Sequence, residues 1–156
     1  MITFEIPGRG LLEIAHLALD LNGTLAADGR VSPAVADRVR ALSPAVQIHI
    51  LTADTFGTAA ELGDLGARVI RLEQGDHVEA KASILRALGA SQTVAVGNGM
   101  NDEGMLREAA LGILVIGGEG AAIRSLQAAD LVVTSIEDAL DLFRFPRRLV
   151  ASLRTA

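Results

Sequence analysis

Cysteine, tryptophan and tyrosine are absent from the 156 residues of this chain. Without cysteine, the protein has no disulfides, no zinc–thiolate site and no thiol chemistry. The only aromatic rings are four phenylalanines, so the core must be built mainly from aliphatic side chains. Proteins that bind single-stranded nucleic acid stack bases on exposed aromatic rings. This scarcity argues against such a function.

Long apolar runs are also missing. The longest apolar stretch, Leu111 to Gly118, has the length of a strand and falls far short of the ~18 residues that a membrane span needs. The first residues show no basic stretch followed by an apolar core, which a secretion signal would have. We therefore expect a soluble, cytoplasmic protein that does not engage a membrane.

Excess positive charge is a further absence. The formal net charge is −5, which argues against a nucleic-acid partner. Residues 144–156 contain four arginines and no acidic residue, whereas residues 1–143 contain 10 basic and 19 acidic residues. We interpret Arg144, Arg147, Arg148 and Arg154 as the solvated face of a final helix.

Strand and helix patterns alternate along the chain, which predicts one doubly wound α/β domain with a mainly parallel sheet. An N-terminal β-hairpin occupies residues 1–15, the core residues 16–140 and a C-terminal helix residues 141–156. Short apolar runs predict buried strands at 17–21, 46–51, 68–72, 93–96, 112–116 and 131–133. Periodic patterns predict helices at 33–42, 55–63, 76–88, 101–110 and 120–129, and from 136 onward with an interruption near Pro146.

Four short segments carry the polar residues of interest: Asp20-Leu-Asn-Gly-Thr24, Leu51-Thr-Ala-Asp54, Lys81 and Gly97-Asn-Gly-Met-Asn-Asp102. Three of them follow predicted strands, and ligands of such folds bind at the carboxyl ends of the strands. Taken singly, each segment is more typical of a turn, a helix cap or a solvated lysine. Together they suit phosphoryl transfer, which needs a carboxylate nucleophile, a cation and Mg²⁺.

In this order the four segments resemble the motifs of the haloacid dehalogenase (HAD) superfamily. The motif sequences are most similar to those of the phosphorylation domain of P-type ATPases and of small soluble proteins similar to it. Ala109-Ala-Leu-Gly-Ile113 and Ala128-Ala-Asp-Leu-Val132 also look like that family. The resemblance covers about residues 16–140 and implies a HAD-like Rossmannoid core.

The resemblance implies a role for each motif residue. Asp20 would be the nucleophile, Thr52 would hydrogen-bond the phosphoryl group, and Lys81 would pair with its charge. Mg²⁺ would be bound by Asp20, the main-chain carbonyl of Asn22 and the side chain of Asn98, with Asp102 completing or supporting that shell. The remaining motif residues would line the substrate site: Gly23, Thr24, Ala53, Asp54 and Asn101.

Two positions depart from the family pattern. HAD phosphatases have a second aspartate in the first motif that serves as general acid and base, and here Asn22 replaces it. General acid–base help is typically worth about 10²–10⁴-fold in rate, so we expect phosphorylated Asp20 to hydrolyse slowly. Asn98 stands where the fourth motif of the family usually has aspartate. This change removes a charge from the metal site and predicts weaker Mg²⁺ binding.

The short intervals between the motifs leave no room for a cap domain or a nucleotide-binding domain. We therefore expect a capless, Mg²⁺-dependent phosphohydrolase whose site is open to large phosphorylated substrates or is covered by another subunit of a homo-oligomer. An alternative is a non-catalytic phosphate-binding or phosphoaspartate module that acts through a protein partner. A bacterial receiver domain ranks lower, because its phosphorylated aspartate lies on a middle strand. The histidine spacing predicts no metal site, and we expect His49 in the core.

Overall fold

The computed structural model describes residues 1–53 and 62–156. Asp54 and most of the predicted helix 55–63 therefore lie outside the described residues. The described strands are β1 (Ile2–Ile6), β2 (Gly10–Ile14), β3 (His16–Asp20), β4 (Gln47–Thr52), β5 (Ala67–Arg71), β6 (Thr93–Gly97), β7 (Leu111–Val115) and β8 (Leu131–Val133). The described α-helices are α1 (Pro33–Leu42), α2 (His77–Leu88), α3 (Glu103–Glu108), α4 (Ile123–Ala128), α5 (Ile136–Arg144) and α6 (Pro146–Leu153).

The main sheet has six parallel strands in the order β5-β4-β3-β6-β7-β8. The chain runs outward from β3 to β5, crosses back through α2 and continues outward from β6 to β8. The strand order therefore reverses between β3 and β6, where a crevice forms at the carboxyl ends of the strands. This confirms the predicted doubly wound α/β fold. The hairpin of β1 and β2 is antiparallel and forms a separate small sheet, also as predicted.

One face of the sheet carries the larger apolar core. Leu17 and Leu19 of β3 point to it and are fully buried together with side chains of α1, α5, α6 and the hairpin. Phe4 and Phe143 meet edge to face there, with ring centroids 6.1 Å apart. Arg38 donates two hydrogen bonds to the carboxylate of Asp141, at 3.0 and 3.2 Å, and so links α1 to α5.

The opposite face is covered by α2, α3 and α4. Ala18 and Leu51 of the sheet pack there with Leu85 and Met105 of the helices. Asp76 caps α2, because its carboxylate accepts hydrogen bonds from the backbone N–H groups of residues 78 and 79 at 3.0 and 3.3 Å. Lys81 lies one turn further on, on the buried side of α2.

Two predicted helices have different bounds. The predicted helix 120–129 begins at Ile123, because a turn closes over residues 117–120. The predicted helix 101–110 is a 3₁₀ turn over Met100–Asp102 followed by α3. The predicted interruption near Pro146 is confirmed: the C-terminal segment is two helices that meet at Phe145, because Pro146 lacks the N–H that would continue α5. Among the described residues, no helix is long and apolar enough to span a bilayer.

Candidate active site

Asp20 is the last residue of β3 and only 7% exposed. One carboxylate oxygen, Oδ1, accepts a hydrogen bond from Lys81 Nζ at 2.7 Å. The other, Oδ2, accepts from the hydroxyl of Thr24 at 3.2 Å. Burial raises the pKa of Asp20 to about 6; the charge of Asp102 acts in the same direction, and Lys81 opposes both.

Lys81 bridges the first and last motifs. Its Nζ donates to Asp20 Oδ1 and to Asp102 Oδ1, both at 2.7 Å, and lies 3.5 Å from Asn101 Oδ1. The side chain is 1% exposed, and burial lowers its pKa. The two carboxylates outweigh that effect, so the pKa of Lys81 ends above its usual value and the amine stays charged.

Asp102 holds the loop after β6. Its Oδ2 accepts the backbone N–H groups of Asn98 and Gly99 at 2.9 and 3.0 Å, while its Oδ1 accepts from Lys81. A Cβ at Gly97 would lie 2.5 Å from this carboxylate, so the glycine makes room for it. Both oxygens of Asp102 are thus engaged. The residue holds this loop in place while it shares Lys81 with Asp20.

Oxygen atoms converge on the other side of Asp20. The hydroxyl of Thr24 lies 3.2 Å from Asp20 Oδ2 and 3.1 Å from Asn98 Oδ1. No group of three His, Cys, Asp or Glu side chains that could hold a metal occurs within residues 1–53 and 62–156. The donor set is instead one carboxylate, one amide and the nearby main chain of the first motif. Such an all-oxygen set fits Mg²⁺, which is bound by one or two carboxylates plus water and phosphate.

The other predicted site residues differ in exposure. Thr52 is buried at the end of β4, one residue beyond the pairing of Asp20 with Leu51. Ala53 follows it and is exposed. Asn22 is also exposed, and its backbone bridges to Ala26 in the loop after β3. Asp54 lies outside the described residues.

A cavity of about 390 Å³ extends from the first motif along the carboxyl edge of the sheet. Its lining runs from Gly23 and Thr24 past Glu119 to the start of α5 at Ser135–Glu137. Sequence reasoning did not single out Glu119. The available signal was a glutamate flanked by glycines directly after a buried strand, the position at which ligands meet α/β sheets.

The two histidines His16 and His49 lie away from this edge, near the amino ends of β3 and β4. His16 Nδ1 and His49 Nε2 are 3.1 Å apart. His49 is 3% exposed, which confirms the prediction of a core residue, and its buried Nδ1 has no hydrogen-bond partner among the described residues. Burial lowers the pKa of His49 to about 4, with contributions from the positive charges of His16 and Arg68.

The sequence is similar to two proteins of Methanocaldococcus jannaschii. The chain is 43% identical to the uncharacterised protein MJ0073 over 91 residues, which are 56% of this chain and 98% of that protein. It is 46% identical to the uncharacterised protein MJ0072 over 39 residues, which are 25% of this chain and 89% of that protein. No family model matches the chain.

Several solved structures share the fold. The 3-deoxy-D-manno-octulosonate 8-phosphate phosphatase of Moraxella catarrhalis, in complex with magnesium, phosphate and KDO, superposes with a TM-score of 0.71 and 19% identity, over 88% of this chain and 92% of that one. The cobalt-bound YrbI phosphatase of Haemophilus influenzae superposes with a TM-score of 0.71 and 16% sequence identity, over 92% of this chain and 95% of that one. These neighbours are HAD-superfamily phosphatases, which are hydrolases, and at such identities the likeness shows the shared fold.

Proposed function

We propose that this chain, which belongs to the same family as the M. jannaschii protein MJ0073, is a HAD-type phosphohydrolase that takes a phosphoryl group onto Asp20. One observation carries the proposal. The amine of Lys81, almost wholly buried, lies 2.7 Å from both Asp20 and Asp102 at the crevice where the strand order reverses. In this arrangement the carboxylate of Asp20 provides a nucleophile and the ammonium group of Lys81 provides a fixed positive charge.

The reaction has two displacements at phosphorus. An oxygen of Asp20 attacks, the bond from phosphorus to the ester oxygen breaks, and the leaving oxygen takes a proton from water. A second water then attacks the aspartyl-phosphate, which releases phosphate and restores the carboxylate. The proton that this water loses neutralises the hydroxide left by the first water. Throughout, Lys81 remains protonated and balances the charge on the transferring group, while the hydroxyls of Thr24 and Thr52 orient its oxygens.

Mg²⁺ would be held by Asp20, the main-chain carbonyl of Asn22 and the side chain of Asn98, with Asp102 supporting the loop. When bound, the ion would neutralise charge on the phosphoryl oxygens. Two oxygens that face Thr24 support this assignment: Oδ1 of Asn98, and Oδ2 of Asp20, which is not the oxygen that accepts from Lys81. The cavity beside Gly23 offers room for the leaving group of the substrate.

The exposed amide of Asn22 cannot carry a proton, so we expect slow breakdown of the aspartyl-phosphate. The substitution Asn22→Asp should raise phosphatase turnover about 100-fold or more, because general acid–base help is typically worth about 10²–10⁴-fold. Steady-state hydrolysis of p-nitrophenyl phosphate with Mg²⁺ measures it. The double variant Asn22→Asp with Asp20→Asn is the control and should show no turnover. Turnover of Asn22→Asp no higher than that of the unsubstituted protein would contradict this account.

The alternative is a phosphoaspartate module without turnover, and the exposed amide at Asn22 is the observation that favours it. Both proposals expect beryllium fluoride with Mg²⁺ to bind at Asp20. Both also expect acetyl phosphate to phosphorylate Asp20, and peptide mass spectrometry would locate the phosphoryl group. Multiple turnovers on any phosphomonoester support the hydrolase. Stable phosphorylation of Asp20 without turnover supports the module.

We further propose a likeness to the phosphorylation domain of P-type ATPases, which the motif sequences support, and a cytoplasmic location, which the composition supports. We also propose that a second copy of the chain or a large phosphorylated substrate covers the open site. Met100 of the last motif and Ile123 at the start of α4, which are 53% and 67% exposed, support this. Light scattering with and without substrate analogue distinguishes the two.

A further inference from the structure

A glycine-rich turn after β7 brings a carboxylate to the candidate active site. The N–H of Gly120 donates to the carbonyl of Gly117 at 3.0 Å, and Gly120 has a φ of +75°. Glu119 therefore lies at the tip of a tight turn, at the carboxyl edge of the sheet. None of the phosphoryl-transfer motifs includes this residue.

Gly23 marks the point where three segments meet. A Cβ added at this glycine would lie 2.3 Å from Glu119 Oε2 and 2.7 Å from Asn98 Nδ2. The carboxylate of Glu119 and the NH₂ group of Asn98 therefore converge on the same side of Gly23. Its φ of +79° also favours glycine here. The first motif, the last motif and the turn after β7 thus share one small volume.

The side chain of Asn98 is oriented by its neighbours. This residue is 7% exposed, and its Oδ1 faces the hydroxyl of Thr24, on the side of Asp20 Oδ2. Its Nδ2 and Glu119 Oε2 lie 2.7 and 2.3 Å from the position that a Cβ of Gly23 would take, so the two atoms are within about 5 Å of each other. At that separation the positive end of the N–H dipole is attracted to the carboxylate. A carboxylate beside the NH₂ group thus favours the orientation in which the amide oxygen is offered to a cation.

The balance of charges at the site also favours a pairing of Glu119 with an uncharged residue at 98. Lys81 neutralises one of the two carboxylates that it contacts, and Asn22 and Asn98 bring none. Glu119 has no ion-pair partner among the parts of the chain that the structure describes. An aspartate at 98 would place two carboxylates against each other beside Gly23, which is unfavourable without a cation.

We propose that Glu119 supplies the negative charge of the Mg²⁺ site that the amide at 98 lacks, and that Asn98 and Glu119 form a matched pair. Glu119 acts as a positioning residue: it orients the amide of Asn98 and adds a carboxylate next to the ion. This inference rests on the proposed function, because it assumes that Mg²⁺ binds beside Asp20.

Calorimetric titration of the full chain with Mg²⁺ alone tests the pair. Glu119→Gln should raise the dissociation constant about 10-fold or more, since loss of a partner around a metal ligand typically costs 10–100-fold in affinity. Glu137→Gln is the matched control, because it removes the same charge from another lining residue of the same cavity, at the start of α5. It should leave the affinity unchanged. The double variant Asn98→Asp with Glu119→Gln moves the charge back to residue 98 and should recover the original affinity.

The outcomes separate this inference from the proposed function. If the unsubstituted protein binds Mg²⁺ and Glu119→Gln binds it equally well, Glu119 has no such role and the proposed function stands. If Glu119→Gln and Glu137→Gln weaken binding equally, the effect is general charge loss and the pair is also rejected. If the unsubstituted protein binds no Mg²⁺, the proposed function and the inference fail together. Failure of the double variant to recover affinity contradicts the matched pair.

Discussion

At the scale of single residues, the main feature is a buried carboxylate pair that shares one lysine. Asp20 is 7% exposed and Asp102 is fully buried, and both lie 2.7 Å from Lys81 Nζ. Removal of charged groups from water is costly, and a single cation offsets only one of the two negative charges. The site therefore retains an uncompensated negative charge, which a metal ion would neutralise.

The substitution Asp20→Asn should stabilise the metal-free protein at neutral pH by about 1–3 kcal/mol and should abolish the proposed phosphoryl transfer. The pKa of Asp20 is raised from 3.8 to about 6 by burial and by Asp102. Folding therefore favours the protonated carboxyl, and stability falls as the pH rises from 3.8 to about 6. Above pH 6 the full penalty is present in the unsubstituted protein and absent from the variant.

Urea unfolding of both proteins at pH 7.5 and pH 4, in the presence of a chelator, measures this difference. The advantage of the variant should shrink at pH 4, where the carboxyl of Asp20 is protonated in the folded state. A variant that is less stable at pH 7.5 would show that the hydrogen bonds of Asp20 outweigh its burial.

At the scale of elements, the pairing of β3 with β4 buries an imidazole that must stay neutral. His49 is 3% exposed, and its Nε2 faces His16 Nδ1 at 3.1 Å. Burial, His16 and Arg68 lower the pKa of His49 to about 4. The stability that follows from the neutral ring is fully present above about pH 6.5 and is lost as the pH falls toward 4.

The substitution His49→Leu should reduce the acid sensitivity of the fold. Between pH 7.5 and pH 4.5, we expect the variant to lose less stability than the unsubstituted protein, by up to about 3 kcal/mol. The effect of Asp20 in this pH range is common to both proteins and cancels in the comparison. Equal losses, measured by urea unfolding at the two pH values, would show that His49 does not resist protonation.

The elements were largely predictable, because buried parallel strands are short apolar runs and each is followed by a polar or glycine residue. The sequence pattern predicts the start of α4 three residues early, because alanines at 121 and 122 extend the helical pattern while the turn at Gly117–Gly120 delays the helix. The resemblance of the motifs places Lys81, Asp20 and Asp102 in one site, and Lys81 contacts both carboxylates in the structure. Glu119 could not be found in this way, since its proximity to Gly23 depends on β7 lying next to β6 in the sheet.

At the scale of the whole molecule, the larger apolar core and the lysine of the candidate site lie on opposite faces of the sheet. The larger apolar core lies on the face of α1, α5, α6 and the hairpin, whereas Lys81 approaches Asp20 from α2 on the other face. Phe4 of the hairpin is 2% exposed and packs edge to face on Phe143 of α5. The hairpin is therefore part of the core.

The substitution Phe4→Ala should lower the free energy of unfolding by about 3–5 kcal/mol, the usual cost of removing a buried aromatic ring. Because Phe4 lies on the face opposite Lys81, the affinity of the folded variant for Mg²⁺ should not change. Urea unfolding gives the first quantity and calorimetric titration the second. A loss below 1 kcal/mol would show that the hairpin is only loosely attached.

The ion triple of Asp20, Lys81 and Asp102 also bears on biosynthesis. Lys81 is separated along the chain by 61 residues from Asp20 and by 21 from Asp102. While the chain is being synthesised, β3 emerges first, and Asp20 remains in water with an ordinary acidity until α2 and β6 have been made and have docked. Asp20 thus acquires its raised pKa only when both halves of the sheet are joined. An incompletely synthesised chain would contain the aspartate but not the ion triple.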